Sequence, residues 1–261
     1  MNYKLIDTHA HLTFDPLFSD VEAVLERSAS AGVTSWITVG TDPQHNTKAV
    51  ALAKNFDNLY AAVGIHPHYA KNVTAQSIAE LNKIAQNQNV VAIGETGLDF
   101  HYNFSLRTDQ QRLFIEHLNI ARSLNLPVIV HSREAFDETI DILQQHGKEL
   151  RKVVFHCFSG TPEQAQIVLA NGFYISFTGV VTFKNANIAR DAAKLVPLDR
   201  LMIETDCPYM SPEPMRKQKI NEPALMIHTA KCIADLKQIP LEDFAIAAAA
   251  TSKAFFALPE K

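Results

Sequence analysis

The chain has 261 residues, with 24 basic against 28 acidic side chains and a formal net charge of −4, which excludes extended electrostatic wrapping of duplex nucleic acid. Its length fits one large α/β domain, since barrels of this class run to roughly 250 residues, and 47% hydrophobic with 20% charged residues excludes a disordered chain. Three cysteines, Cys157, Cys207 and Cys232, contain no CxxC pair, which argues against a disulfide framework and for free thiols in a reducing compartment.

The N-terminal Met1-Asn2-Tyr3-Lys4 carries no apolar leader pattern, and the longest apolar run, Phe244 to Ala250, falls far below the roughly 20 residues that span a bilayer. The expectation is a cytoplasmic protein without a membrane partner. Eight short apolar runs, mostly β-branched, follow in order: Lys4–Asp7, Ser35–Gly40, Tyr60–Gly64, Val90–Glu95, Pro127–His131, Lys152–His156, Tyr174–Phe177 and Leu201–Glu204. Each reads as a buried parallel strand. Between them lie helical spacings, such as Val21, Val24 and Leu25 closed by Gly32, and Ile78, Leu81, Ile84 and Ala85 after a Thr74 cap. Thr161 before Pro162, with Gln164 three residues on, predicts a capping box and a helix that ends near Gly172. The stretch Pro208–Pro214 reads as a loop, so residues 1–261 are expected to form a single domain.

Alternating strands and helices close as a (β/α)8 TIM barrel or lie as an open doubly wound sheet, and periodicity leaves both open. The polar residues favour the barrel, where reactive groups gather at the C-terminal strand ends. Those ends read Asp7-Thr8-His9-Ala10-His11, Gly64-Ile65-His66-Pro67-His68, Gly94-Glu95-Thr96-Gly97, Val130-His131-Ser132-Arg133, Phe155-His156-Cys157 and Glu204-Thr205-Asp206. In an extended segment His9 and His11 project to one face and can share a cation. His9, His11, Glu95, His131, His156 and Asp206 together exceed what one tetrahedral ion with an open position needs. Two divalent ions are therefore expected, His9, His11, Glu95 and Asp206 holding one and Glu95, His131 and His156 the other, with Glu95 as the bridge. Imidazole-rich sites suit zinc, manganese or a similar first-row ion better than calcium, and the ion's identity is left open, magnesium included.

A metal-activated water is the expected nucleophile, with Asp206 as general base. His66, preferred over His68, is expected to donate to a leaving oxygen or hold a phosphate. Arg133 reads as a phosphate clamp or a salt-bridge partner, and Glu204 as an acceptor that orients a ligand. His45, His117, His146 and His228 lie in helical segments and read as surface or structural residues.

These motifs, continued by Leu98-Asp99, Glu134-Ala135, Phe158-Ser159-Gly160, Cys207-Pro208-Tyr209 and a weaker Asn221-Glu222-Pro223, resemble the TatD family of metal-dependent deoxyribonucleases. The resemblance implies a (β/α)8 barrel of the amidohydrolase-like superfamily, a divalent metal site at the six matched positions, and 3′-to-5′ exonuclease action on DNA, single-stranded or at 3′ ends, with no obligate protein partner. Two positions depart from the family pattern. Ile220 stands where a basic residue often precedes Asn-Glu-Pro, and Thr251-Ser252-Lys253 replaces a C-terminal Thr-Asn-basic run. The alternatives are an ester or amide hydrolase of the same superfamily, such as an aminoacyl-tRNA deacylase, and a non-catalytic metal-binding scaffold. The superfamily's frequent carbamylated lysine is replaced here by Glu95, which favours the phosphodiesterase.

Overall fold

A computed structural model describes residues 4–150 and 152–259. Along the chain run β1 (Leu5–Ala10), α1 (Val21–Ser30), β2 (Val33–Val39), α2 (Pro43–Asn55), β3 (Leu59–Val63), α3 (Ala75–Ile84), β4 (Val90–Asp99), α4 (Arg107–Leu124) and β5 (Val128–Arg133). They continue with α5 (Phe136–His146), β6 (Val153–Phe155), α6 (Pro162–Ala170), β7 (Tyr174–Phe177), α7 (Asn187–Leu195), β8 (Leu201–Ile203), α8 (Met226–Lys237) and α9 (Leu241–Phe256). The strand order follows the chain order, β1 to β8. Each of the eight predicted runs overlaps one strand.

Local chemistry starts the helices where the sequence places them. Thr161 accepts from Gln164 N at 3.3 Å while the Gln164 side chain accepts from Thr161 N at 2.9 Å, which satisfies two otherwise orphaned amides. Thr74 and Ser77 form the same reciprocal box at the start of α3. Asp42, before Pro43, caps α2 by accepting from Gln44 N and His45 N. The chain leaves α6 through Gly172, whose φ of +77° suits glycine.

The described residues divide into two compact units, residues 4–38 with 157–259, and residues 39–150 with 152–156. In the first, β1 lies parallel to β2 with Asp7 beside Trp36, and β7 parallel to β8 with Phe177 beside Ile203. Past the end of β8, Asp206 N donates to His9 O and His11 N to Cys207 O, which ties the end of β1 to the chain after β8. Helix α9 packs on β1 and β8 through Phe244, Ala245, Ala248 and Phe255, all buried. Its alanines let the helix approach the strands closely, and the phenylalanines fill the remaining volume.

In the second unit β3, β4, β5 and β6 run parallel in that order. The core holds Ile93, Phe114, Leu118, Val130 and Phe155, each nearly fully buried. Strand β4 is longer than the predicted run, which stops at Glu95. Thr96 to Asp99 stay in register with Val130 to Arg133 of β5. Gly97 permits this continuation: its φ is +132°, and a Cβ there would strike the His131 carbonyl. Strand β1 likewise runs on to Ala10, so that His9 lies within it, whereas His156 and Asp206 stand just past β6 and β8. No helix among the described residues is long and apolar enough to cross a membrane.

Candidate metal centre

In the first unit the Nε2 atoms of His9 and His11 lie 3.2 Å apart. Asp206 Oδ1 stands 3.2 Å from His11 Nε2 and 3.7 Å from His9 Nε2. All three residues are buried. Ligand atoms about 2.1 Å from one tetrahedral ion lie roughly 3.4 Å from one another, so the spacing of this donor set fits a cation.

Several groups hold the set in place. Asp206 has φ +53°, a left-handed conformation that turns its carboxylate out of the β8 direction toward the two imidazoles. The loop it begins is pinned by buried Asn221, whose side-chain amide donates to Thr205 O at 3.0 Å and Tyr209 O at 2.7 Å. Neighbouring Glu222 receives Arg27 through Nη2 at 2.7 Å and Nε at 3.1 Å, which anchors the same segment to α1. Phe14 stacks on His11 at 4.8 Å between ring centroids. Fully buried Asp7 accepts from Thr205 Oγ1 at 2.6 Å, Thr205 N at 3.0 Å and His9 N at 3.3 Å. Burial pushes its pKa up to about 7 despite those donors. Glu204 accepts from Cys157 N at 2.6 Å and Ser176 Oγ at 2.5 Å, and it thereby fixes the chain after β6 and β7 beside its own strand.

In the second unit Glu95 Oε1 lies 2.8 Å from both His131 Nδ1 and His156 Nε2, and 3.5 Å from His66 Nε2. Burial raises the Glu95 pKa, but His156, His66 and the hydrogen bonds outweigh it and hold the carboxyl well below its usual range. An ionised carboxylate facing three imidazoles is again a donor set suited to a first-row ion. His66 is pushed down to about 4, chiefly by burial, so it is neutral at pH 7. Its Nδ1 accepts from His68 N at 3.2 Å, which leaves the proton on the Nε2 that faces Glu95.

Asp99, which carries no predicted role, receives His131 Nε2 at 3.1 Å and His68 Nε2 at 2.9 Å on the same oxygen, Oδ2. Burial raises its pKa, but those two hydrogen bonds and one from Tyr102 N lower it to well below the ordinary range. It is an acceptor that orients the imidazole carrying the site's Nδ1. Glu95 and Asp99 are four apart in β4 and so share a face, but the predicted run stops at Glu95 and leaves Asp99 outside any strand. His117 is structural, as its helical setting predicts. It accepts from Ile65 N at 2.9 Å through Nε2, beside His66, and burial depresses it to about 4. Asn46 brackets Gly64 through both of its amide atoms. Neither residue announces this in sequence, because each reaches β3 from a helix. Among the described residues Arg133 makes no salt bridge, and its guanidinium lies 4.8 Å over the Tyr102 ring.

Comparison with known proteins adds to this geometry. A family model described as TatD related DNase matches residues 6–257. An uncharacterized metal-dependent hydrolase, YabD of Bacillus subtilis (strain 168), is 38% identical over 252 residues, covering 97% of this chain and 98% of that protein. The 3'-5' ssDNA/RNA exonuclease TatD of Erwinia amylovora is 34% identical, covering 97% and 100%. The crystal structure of YjjV, a TatD homologue from Escherichia coli K12, superposes with a TM-score of 0.93 at 33% identity, covering 99% of this chain and 100% of that one. The fold class is the (β/α)8 barrel.

Proposed function

Because the chain belongs to the TatD-related DNase family of metal-dependent hydrolases, we propose that it is a 3′-to-5′ exonuclease that removes nucleotides from single-stranded DNA ends. The observation that carries the reading is the convergence of imidazole and carboxylate atoms at ligand spacing, in the His9, His11 and Asp206 set and in the Glu95, His131 and His66 set, whose ligand atoms lie within 4.8 Å of one another. His9, His11 and Asp206 would hold one divalent ion, and Glu95, His131 and His156 a second, zinc, manganese and magnesium being the ions to test. When bound, such ions polarise a phosphoryl oxygen and lower the pKa of a water.

The chain's own groups supply the proton movements. Asp206 accepts a proton from the attacking water at its carboxylate. Neutral His66 donates from Nε2 to the departing 3′-oxygen, so water and a phosphodiester become a 3′-hydroxyl and a 5′-mononucleotide. Exonuclease relatives named for single-stranded DNA and RNA support a single-stranded substrate, and the net charge of −4 agrees with gripping an end rather than wrapping a duplex. Cys157, Cys207 and Cys232, which form no disulfide among the described residues, support action in the cytoplasm.

The test is an activity panel in which protein reconstituted with each ion meets end-labelled single-stranded and duplex DNA and RNA. Stepwise shortening from the 3′ end of the single strand is expected. Asp206→Asn keeps a residue that tolerates the left-handed conformation and is expected to lose activity roughly 10²–10⁴-fold. Cleavage of a carboxylic ester or amide but of no phosphodiester would replace the nuclease reading with the hydrolase alternative. Glu95→Ala protein is expected to lose the ion held with His131 and His156 on metal analysis; an unchanged metal content would remove Glu95 from that set.

A further inference from the structure

Beside the Glu95 cluster, the chain between β4 and α4 exposes aromatic surface on a backbone that is tightly held. Tyr102 is 40% and Phe104 53% exposed. Their rings are stacked, with centroids 5.3 Å apart and planes 11° from parallel. His68 meets both rings edge-on, at 5.4 Å from Tyr102 and 4.8 Å from Phe104. The same His68 shares Asp99 Oδ2 with His131, so the aromatic pair is joined to the cluster by a two-step hydrogen-bonded path.

The exposure does not come from looseness. Asp99 Oδ1 accepts from His101 N at 3.0 Å and Tyr102 N at 2.9 Å. Ser105 Oγ donates to His68 O at 2.8 Å, and Gln110 Nε2 donates to Ser105 O at 3.1 Å. Large aromatic side chains presented to water on a fixed loop forgo burial they would otherwise gain. Arginines accompany this stretch of chain. Arg133 is exposed over Tyr102, and Arg107 lies 4.0 Å over Phe100 with its guanidinium reaching toward Glu138 at 3.9 Å. The acidic Glu134 beside them is engaged by His101 at 2.6 Å.

We propose that Tyr102 and Phe104 form a stacking platform for unpaired nucleobases at the end of the strand, with Arg133 holding the adjoining phosphate. Bases in a duplex already stack on their neighbours, whereas unpaired bases offer free π-faces, and an aromatic pair flanked by arginine takes them without regard to sequence. The platform rests on the nuclease reading above and deepens it to a substrate class, single strands with bases at the terminus.

The experiment compares two end-labelled single-stranded oligonucleotides, one with normal terminal nucleotides and one whose two terminal positions are abasic, on the manganese-loaded protein. The base-bearing strand is expected to have the lower KM, by roughly 5- to 150-fold. In the Tyr102→Ala/Phe104→Ala protein the two KM values converge, and in Tyr102→Trp and Phe104→Trp proteins the difference returns. Equal KM values on the unmodified protein, or a difference that survives the double alanine change, overturn the platform. The first comparison needs no variant to fold. If the loaded protein cleaves neither strand, the nuclease reading falls and fluorescence anisotropy with the same two strands decides the platform: binding that favours the base-bearing strand in the unmodified protein alone supports it, and indifference to the bases overturns it.

Discussion

Asp99 takes two imidazoles on one oxygen, and so it fixes which face of His131 is turned to Glu95. Removing a carboxylate of this kind weakens an ion held through the histidine without unfolding the chain. Asp99→Asn is expected to lower zinc affinity roughly 10- to 100-fold, read by competition with a chromophoric chelator on protein confirmed folded. Asp7 behaves differently. Burial lifts it from 3.8 to about 7, so between those values the folded chain keeps a proton that the unfolded chain releases. The contribution of Asp7 to stability therefore falls as pH rises from about 4 through 7, because at this group the unfolded state binds fewer protons there. His66 and His117, both depressed to about 4, act in the opposite direction over the same window, so in metal-free protein Asp7→Asn is expected to remove a downward component from the slope of the urea midpoint between pH 4.5 and 7.5. A variant with the same slope as the unmodified chain would remove Asp7 as its source.

At the scale of elements, the register of β4 against β5 brings Glu95 and His131 together, and it depends on Gly97. With φ +132° and the His131 carbonyl where a Cβ would sit, Gly97→Ala strains the backbone by roughly 1–3 kcal/mol and pushes β5 away at His131. Both a lower denaturant midpoint and lower activity are expected. Thr161→Ala is the contrast. It opens the α6 capping box at a cost of about 1 kcal/mol, and kcat/KM on the same labelled strand is expected to stay unchanged. If the two variants lost activity in proportion to stability alone, the special role of the Gly97 crossing would fail.

For the whole molecule, a net charge of −4 sets how strongly salt acts on substrate capture. A single strand held through one or two phosphates gives a slope of log kcat/KM against log salt of roughly −1, measured between about 50 and 200 mM. A slope several times steeper would mean a long basic track, which the charge balance argues against.

The strand and helix sequence was legible from periodicity and caps, since Thr74, Asp42 and Thr161 act on amides within a few residues and tertiary context is not needed to place them. The histidines and acids at the strand ends were legible as a group because parallel strands all deliver their C-terminal ends to one side. Short-range pattern carried no information about Asp99 as the partner of His131, about Asn221 pinning the Asp206 loop, or about His117 receiving Ile65 N. Those pairings span 12 to 52 residues in sequence, and only packing decides which buried donor meets which acceptor. By itself the sequence determined the alternation of elements and which residue types stand at their ends. The tertiary structure decided which oxygen faces which nitrogen, because burial favours a partner for a polar group wherever the fold brings one within about 3 Å.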